Sequence, residues 1–336
     1  MSSSDDVTPK QLKRGSGPLF MDPDVGKLRA FFGKKGLASH NKLTTVPEAV
    51  AEFVHDGDYL ASGGFGSNRI ATALLHEIVR QGRKNLGLAG HTMTHDFQIL
   101  CAGECINRCD AAYIVGLEAR GLSPNARRLI QSGKVQLCEW TNAALAWRLR
   151  AAAMGVSFIP ARVMLGTDTF EHSAAMEIEC PFTGQKYAAL PALSPDVALI
   201  HVHTATPSGD AIIEGLTVAD IELTQASKHV IISAEEVVPE EEMRLRPHRV
   251  TIPSMFVDAV VEVPFGSYPG NMPYRYFSDE EHLKEWLEVE EEPERFRAFL
   301  DKYIYGTADF YEYLERCGGV ERIVRLRRKE YLISEP

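Results

Sequence analysis

A glycine-rich run between a predicted strand and a predicted helix carries the clearest chemical signal in the sequence. Tyr59 to Ser62 has the apolar character of a short buried strand, and a helix is predicted over Ile70 to Gln81. Between them, Gly63, Gly64 and Gly66 permit positive φ and a close approach of a ligand to the main chain. Such a turn can direct several N–H groups at one oxyanion or phosphate. The alternative is a tight turn without a ligand.

The spacing of these glycines argues against two common nucleotide-binding loops. In a dinucleotide fingerprint a third glycine would stand where this chain has Arg69, whose side chain would block close packing of helix on strand. No Gly-Lys-Ser/Thr follows, which excludes a P-loop. The guanidinium of Arg69 could instead bind an acyl carboxylate or a phosphate in a bidentate manner, or form a salt bridge at a surface or subunit interface.

Glu118 is the sharpest candidate for a reacting carboxylate. A third strand is predicted over Ala111 to Val115, and Glu118 follows it directly in the chain. Ligands of open parallel sheets bind beyond the carboxyl ends of the strands. A glutamate at a partly dehydrated mouth suits a nucleophile or general base. The alternative is an ion pair with Arg120 or Arg127.

Other polar residues that follow predicted strands have structural explanations. Glu139 precedes a helix and favours its dipole, while His201 and His203 are expected to be buried or at an interface rather than to bind a metal. The charged run from Glu235 to Glu242 is predicted to be a solvated loop. Two further positions at this edge are His91–Thr94 and Thr204. Cys101, Cys105 and Cys109 are interpreted as buried thiols, so no metal site is expected.

Short strands and helices alternate along the chain, and these elements would position the residues named above. Strands of four to six residues and helices of eight to fourteen predict an open, mostly parallel sheet with helices on both faces. Residues 163–196 are less periodic, and 166–172 and 180–184 are predicted to form long loops. A helix is predicted over Thr217 to Ser227, with a capping box formed by Thr217 and by Asp220 three residues on. The predicted organisation is an N-terminal extension, 1–42, and one domain, 43–336, whose C-terminal region is helical from about residue 278.

Bulk properties exclude several classes of protein. A net charge of -10 and a pI near 5.6 disfavour binding to nucleic acid or anionic membranes. No apolar run reaches membrane-spanning length, and no hydrophobic signal core is found at the N-terminus. We therefore expect a cytoplasmic protein.

The glycine-rich run also resembles a family signature. Asp56-Gly57-x-x-Leu60-Ala61-x-Gly63-Gly64-Phe65 is similar to the signature near the start of the α subunits of class I coenzyme A (CoA) transferases. The resemblance extends from about Lys42 to beyond Gly318 and includes residues 157–160, 196–201 and 257–261. The chain departs from the broader signature at three positions, where an apolar residue, a glycine and a proline are usual: Ser62, Arg69 and Ala71.

This resemblance implies CoA transfer between an acyl-CoA and a carboxylic acid, with CoA as a substrate and no permanently bound cofactor. In two-subunit members the glutamate that carries the CoA thioester belongs to the β subunit, so the resemblance implies a hetero-oligomer active only with that partner. The substrate- or oxyanion-binding wall would be Gly63, Gly64, Phe65, Gly66, Ser67, Asn68 and Arg69. Two alternatives stay open: a ring-cleaving acyl-CoA hydrolase that uses Glu118, and a non-catalytic module that senses acyl-CoA or a sugar phosphate.

Overall fold

The computed structural model describes residues 12–36, 40–114 and 121–332. The strands are β1 (Tyr59–Ser62), β2 (Leu86–Gly90), β3 (Ile106–Ala111), β4 (Gln136–Glu139), β5 (Phe158–Ala161), β6 (Met176–Glu179), β7 (Lys186–Pro191), β8 (Val197–Ala205), β9 (Ala211–Ile212), β10 (His229–Val237) and β11 (Ala259–Glu262).

Helices flank these strands and dominate the last sixty residues of the chain. They are α1 (Val25–Phe32), α2 (Val46–Phe53), α3 (Thr72–Arg80), α4 (His95–Ala102), α5 (Pro124–Gln131), α6 (Asn142–Met154), α7 (Asp168–Glu171), α8 (Asp220–Ala226), α9 (Glu240–Arg244), α10 (Glu280–Val289), α11 (Pro293–Leu300), α12 (Phe310–Arg316) and α13 (Gly319–Glu330). A π-helical turn, Asp301–Tyr305, follows α11.

The main sheet has the order β11-β10-β8-β1-β2-β3-β4, with β9 paired to β8. Every neighbouring pair along this path is parallel, and only the β8–β9 pair is antiparallel. This confirms the predicted open, mostly parallel sheet. The strand order builds outward from β1 to β4 on one side and then continues at β8 on the other. The β1–β8 junction is therefore the topological switch point, where sheets of this class bind ligands.

Two hydrophobic clusters cover the two faces of the sheet. Alternate side chains of a strand point to opposite faces, so Leu60 enters one cluster while its neighbours Tyr59 and Ala61 enter the other. The first cluster includes residues of α3, α4 and the C-terminal helices, and the second includes residues of α6 and α8. Among the described residues no helix has both the length and the apolar character needed to span a membrane.

Several local predictions are confirmed. Thr45 and Glu48 form the predicted capping box of α2, with reciprocal hydrogen bonds between side chain and main chain. Helix α6 begins and ends where the sequence predicts. Helix α5 begins at Pro124, and the Ser123 hydroxyl accepts a hydrogen bond from the Ala126 N–H.

The predicted third strand is wrong. The strand spans Ile106–Ala111 rather than 111–115, and polar residues within it conceal its burial. Asp110 is fully buried because Arg148 Nη1 donates to its Oδ1 at 2.5 Å, Trp140 Nε1 donates at 2.6 Å and the Tyr59 hydroxyl donates to Oδ2 at 2.5 Å. A carboxylate satisfied in this way is compatible with a buried strand.

Within residues 163–196 the structure contains strands that the sequence does not predict: β6 and β7 form a separate antiparallel sheet with β5, in the order β5-β7-β6. Of the two loops predicted there, 166–172 contains the short helix α7, and 180–184 connects β6 to β7. The predicted helical C-terminal region is confirmed and includes the amphipathic helix α13, which buries Ile323 and Leu326. The part of residues 1–42 that the structure describes packs on the body through Val25 and Leu28 of α1.

Candidate functional site

The glycine-rich run, residues 63–69, connects β1 to α3 at the carboxyl edge of the sheet. Gly64 and Gly66 have φ of 73° and 59°. A Cβ on Gly64 would lie 2.2 Å from the Asn68 carbonyl oxygen, and one on Gly63 would lie 2.7 Å from Asp220 Oδ1. Glycine is thus required here because the loop folds back on itself and on the start of α8. The loop occupies the switch point between β1 and β8.

Most N–H groups of this loop donate to the protein itself. Six of them have acceptors at 2.7–3.2 Å: Gly63 to Leu199 O, Gly64 to Asp220 Oδ1, Phe65 to Asn68 O, Gly66 to Thr92 O, Asn68 to Phe65 O and Arg69 to Asn271 O. The predicted convergence of several free N–H groups is therefore wrong. Within the described residues Ser67 is the member of the loop whose N–H has no acceptor.

Arg69 is buried and engaged inside the protein. Its side chain is 1% exposed, and its two terminal nitrogens lie 3.1 and 2.8 Å from the two carboxylate oxygens of Asp220. Nη2 also donates to the Leu216 carbonyl at 2.9 Å. Arg69 has a left-handed φ of 55°, a conformation that glycine adopts readily. The arginine thus fixes the loop to α8 and does not present its guanidinium to a ligand.

A second segment, residues 265–276, supports the loop from the opposite side. The Arg69 N–H donates to Asn271 O, the Asn271 N–H donates to Ser67 O, and Asn271 Nδ2 donates to Asn68 Oδ1 at 2.7 Å. The Thr72 hydroxyl at the start of α3 donates to Ser267 O. These contacts hold Ser67 and Asn68 in place, with Asn68 and Phe65 half-buried at the rim.

A buried charge network lies beneath that segment. Glu235 Oε1 is 2.8 Å from His201 Nε2 and accepts from the Tyr276 hydroxyl at 2.7 Å, while Oε2 accepts from the Phe265 N–H at 2.9 Å. Burial alone would raise the pKa of Glu235, but these partners outweigh it and lower the pKa. Glu235 lies inside β10, so its predicted place in a solvated loop is wrong.

The histidines of this edge differ in their exposure and roles. His203 is buried, receives a hydrogen bond from the Glu214 N–H at Nδ1 and has Nε2 2.9 Å from Pro273 O. Burial lowers the pKa of His203 to about 4, so the ring is neutral. Burial also lowers the pKa of half-buried His91, which adjoins the loop through Thr92. No cluster of three metal-ligating side chains occurs in the ranges the structure describes.

Glu118 lies outside the described residues. The chain on either side of it borders the site, since Ile114 pairs with Met93 just after β2, and Gly121 and Thr94 line one small cavity. The hydroxyl of Thr94 donates to Gly66 O at 2.6 Å. Glu139, by contrast, is exposed at the end of the edge strand β4. Thr204 lies within β8, where it is half-buried and pairs with Ile212 of β9.

Glu290 holds the start of α5, which follows residues 115–120 in the chain. Its carboxylate is fully buried after α10 and accepts from the hydroxyl of Ser123, Gln98 Nε2 at 3.0 Å, Trp286 Nε1 at 2.9 Å and the Asn125 N–H at 3.3 Å. Burial raises the pKa of Glu290, and the neutral donors only partly offset that effect. Sequence reasoning missed this residue, because nothing in its local pattern separates it from the neighbouring exposed glutamates.

Asp220 and Asn271 are the other supporting residues that sequence reasoning missed. Asp220 is the first residue of α8 and accepts no capping hydrogen bond from that helix, so its predicted role in a capping box is wrong. The sequence signal for Asp220 was Arg69, because an arginine that is buried together with the loop requires a carboxylate partner. Nothing in the sequence around Asn271 indicates that it supports the glycine loop.

Comparison with known proteins assigns the family. The model of the coenzyme A transferase family matches residues 43–263, which include β1, the glycine loop and β11. The chain therefore belongs to the coenzyme A transferase family.

Individual relatives show the same similarity over nearly the whole chain. The α subunit of glutaconate CoA-transferase from Acidaminococcus fermentans is 31% identical over 304 residues, covering 85% of this chain and 95% of that protein. The crystal structure of that enzyme matches with a TM-score of 0.81 at 30% identity, over 85% of this chain and 95% of the matched chain.

Two further relatives differ widely in their similarity to this chain. An uncharacterised protein of Archaeoglobus fulgidus is 46% identical over 329 residues, covering 97% of this chain and 73% of that protein. The IpdA subunit of the cholesterol ring-cleaving hydrolase of Rhodococcus jostii is 25% identical over 82% of this chain and 96% of its own length.

Proposed function

We propose that this chain is the α subunit of a two-subunit class I CoA transferase that moves CoA from an acyl-CoA to a carboxylic acid. The nucleophile is a glutamate of the β subunit, which forms a glutamyl–CoA thioester. The glycine loop, residues 63–69, forms the wall against which the thioester carbonyl rests, with the Ser67 N–H as its main-chain donor and Phe65 and Asn68 at its rim.

One observation carries this proposal: the described part of the site holds no carboxylate free to attack a thioester. Asp220 is neutralised by Arg69, and Glu235 is bonded to three partners. Asp96 is buried and accepts hydrogen bonds from the N–H groups of Thr94 and Phe97. A family reaction that requires a nucleophilic carboxylate thus needs one from outside the described residues of this site. Similarity to one chain of the multi-chain glutaconate CoA-transferase supports a partner chain as its source.

The loop can contribute to catalysis without a titrating group. Attack on a thioester places negative charge on the carbonyl oxygen, and a fixed N–H donor stabilises that charge because it needs no reorganisation. The Ser67 N–H is held by the contacts of Ser67 O and Asn68 with Asn271. Removing one such donor in acyl-transfer enzymes costs about 10²- to 10³-fold in kcat.

The test compares the chain alone with the chain co-expressed with its genetically adjacent β-type chain. We expect CoA exchange between an acyl-CoA and a free carboxylic acid in the pair, and none in the single chain. Intact-mass measurement of the acyl-CoA-treated pair should find the CoA adduct on the partner. Full exchange by the single chain, or an adduct on this chain's own glutamates, would contradict the proposal.

Hydrolysis by the same fold is the second candidate, supported by similarity to the ring-cleaving hydrolase over 82% of the chain. In that case Glu118 is the base that activates water, and the acceptor is water rather than an acid. Glu118→Gln in the active pair separates the two: loss of acyl-CoA hydrolysis supports the base role. Undiminished hydrolysis would exclude it, and transfer that persists in the variant supports the first proposal.

A further inference from the structure

Cys317, His282 and Glu285 form a second set of potentially reactive groups, far along the chain from the family match. Cys317 follows α12, while His282 and Glu285 lie one turn apart on α10. The sulfur of Cys317 lies 3.8 Å from His282 Nε2, and His282 Nδ1 lies 3.3 Å from Glu285 Oε2. This is the order of groups that activates a thiol: a nucleophile, a base and a carboxylate that orients the base.

The surroundings of His282 favour its cationic form. Burial alone would lower its pKa, but the sulfur of Cys317 and the carboxylate of Glu285 outweigh it and raise the pKa to about 9. Aromatic rings, which attract a cation through their faces, surround the imidazole: those of Tyr268, Phe299, Tyr303 and Tyr313. The other charged groups near the pair are Asp279, Arg322 and Lys302.

The hydroxyl of Tyr313 is a further hydrogen-bond donor near Cys317. The Tyr313 side chain is fully buried, and its hydroxyl has no hydrogen-bond partner that meets normal geometry within the described residues. Burial raises the pKa of the Tyr313 hydroxyl, and the proximity of Cys317 adds to this effect. Such a donor is available to an anion formed at Cys317.

The sulfur opens onto a basic groove along α13. Cys317 is half-buried and lines a groove of about 540 Å³ whose other lining residues are Gly318, Glu321, Arg322, Val324, Arg325 and Arg328. Arg322 and Arg325 share the carboxylate of Glu281. Arg328 is exposed and has no ion pair within the described residues, so its charge is available to an anionic ligand.

We propose that Cys317 is a nucleophile that gives its thiol proton to His282 and accepts the acyl group of an acyl-CoA thioester docked along the basic groove. The sulfur bonds to the acyl carbon, and the bond from that carbon to the CoA sulfur breaks. The proton of the His282 imidazolium goes to the departing CoA thiolate, so the products are S-acyl-Cys317, free CoA and neutral His282. The identity of this ligand rests on the proposed function, whereas the reactivity of the thiol does not.

The first experiment measures thiol reactivity in the full chain. Neutral iodoacetamide is added in limiting amounts, and peptide mapping gives the rate at each cysteine. Cys180 is the matched control, since it is half-buried, lacks a histidine and has a pKa lowered by the Thr183 hydroxyl. We expect Cys317 to react at least about tenfold faster than Cys180, and His282→Asn to abolish this difference. Equal rates at the two cysteines in the unmodified protein would overturn the proposal.

Glu285→Gln provides a second test of the same arrangement in case His282→Asn does not fold. Glu285 is about half exposed, so its replacement leaves the fold intact, and it should slow alkylation of Cys317 several-fold without affecting Cys180. An unchanged alkylation rate at Cys317 would show that the Glu285 carboxylate does not assist the thiol through His282, and it would contradict the proposal.

The second experiment tests the ligand. Intact mass and peptide mapping should find acylation at Cys317 by acetyl-CoA, at a rate at least tenfold above that of the neutral thioester S-acetyl-N-acetylcysteamine at equal concentration. Arg328→Ser should remove most of this preference, while Arg327→Ser, one residue away and outside the groove, should not. Equal rates with the two thioesters would overturn the anionic docking site.

The outcome is separable from that of the proposed function. Cys317→Ala in the co-expressed pair should abolish acylation but leave CoA exchange within twofold, because Cys317 lies outside the glycine-loop site. Acylation without any CoA exchange by the pair would leave this inference standing and refute the transferase proposal. Loss of exchange in Cys317→Ala would show that the two sites are not independent and would contradict the inference of a separate site.

Discussion

Glu235 and Glu290 are two buried glutamates that each hold a segment bordering the site. Their surroundings shift their pKa values in opposite directions. Glu235 lies inside β10, within the family match, and contacts His201, which can carry a positive charge. Glu290 follows α10 in the C-terminal helical region, and among the described residues the donors to its carboxylate are neutral. The pKa of Glu235 is lowered, whereas that of Glu290 is raised.

The comparison shows that burial does not by itself decide the charge state of a carboxylate. Burial raises the pKa in both cases, and the histidine together with a tyrosine hydroxyl and a main-chain N–H reverses the effect only at Glu235. Each glutamate also secures a segment that borders the site. Glu235 holds residues 265–276 beneath the glycine loop, and Glu290 holds the start of α5 just after residues 115–120.

The largest effect is expected from Glu235→Ala. This change leaves His201 Nε2, the Tyr276 hydroxyl and the Phe265 N–H without their acceptor, and each stranded buried group costs roughly 1–3 kcal/mol. We expect the free energy of unfolding to fall by about 3 kcal/mol in urea denaturation. Glu236→Ala is the control, since its exposed side chain should change stability by less than about 0.5 kcal/mol. A loss below about 1 kcal/mol for Glu235→Ala would remove the network's structural role.

Ser123→Ala should weaken the Glu290 side by about 2 kcal/mol. The Ser123 hydroxyl both donates to the Glu290 carboxylate and accepts from the Ala126 N–H as the N-cap of α5. Losing a cap costs about 1 kcal/mol, and a hydrogen bond to a buried carboxylate contributes a similar amount. Ser132→Ala, at the C-cap of the same helix, is the comparison variant, since its hydroxyl donates to Leu129 O at 3.1 Å and does not contact Glu290. Equal losses for the two variants would mean that Glu290 draws no stability from Ser123.

The pH dependence of stability should have opposite signs for the two glutamates. With its lowered pKa, Glu235 stabilises the fold above its unfolded pKa of about 4.3, and this contribution is lost as the pH falls through the folded-state pKa. With its raised pKa, Glu290 carries no ionisation penalty at low pH and destabilises the fold as the pH rises from about 4.3 through its folded-state pKa.

Urea denaturation of Glu235→Gln and Glu290→Gln between about pH 2 and pH 8 checks both signs, because the Glu235 contribution changes below its unfolded pKa and the Glu290 contribution above it. Relative to the unmodified protein, Glu235→Gln should become less stable as the pH rises, and Glu290→Gln more stable. Each change should amount to about 1.4 kcal/mol per unit of pKa shift. Glu291→Gln, at an exposed position beside Glu290, is the control variant. The same slope for both variants would contradict the role assigned to His201.

The parts of the fold that the sequence predicts are those set by local pattern. Helix α6 has a continuous Ala-rich pattern and α2 a capping box, so the sequence predicts both correctly, together with the parallel sheet. The prediction of β3 is misplaced because Arg108 and Asp110 make the strand look polar. The burial of Asp110 depends on Arg148, which lies 38 residues later in the chain.

The sequence predicts the position of the glycine loop at the sheet edge but not its hydrogen bonding. Glycine spacing predicts where the loop bends. Four of the six N–H groups that have acceptors donate outside the loop, and three of these acceptors belong to Leu199, Asp220 and Asn271, which are distant in sequence. The same holds for the guanidinium of Arg69, whose partner is 151 residues away. Local sequence predicts the shape of a turn, whereas the tertiary fold determines which of its polar groups have hydrogen-bond partners.

The smallest effect, and the finest test of the comparison, is Tyr276→Phe. The change removes one of three donors to Glu235 and the acceptor of the Ser267 N–H, which lies 3.1 Å from the hydroxyl. We expect a loss of about 1 kcal/mol, with faster hydrogen exchange at the Asn271 and Arg69 amides because Ser267 and Asn271 belong to the segment that supports the loop. Tyr274→Phe, whose ring is exposed, is the control. Faster exchange at Ser123 and Asn125 instead would show that the two glutamate networks are coupled rather than independent.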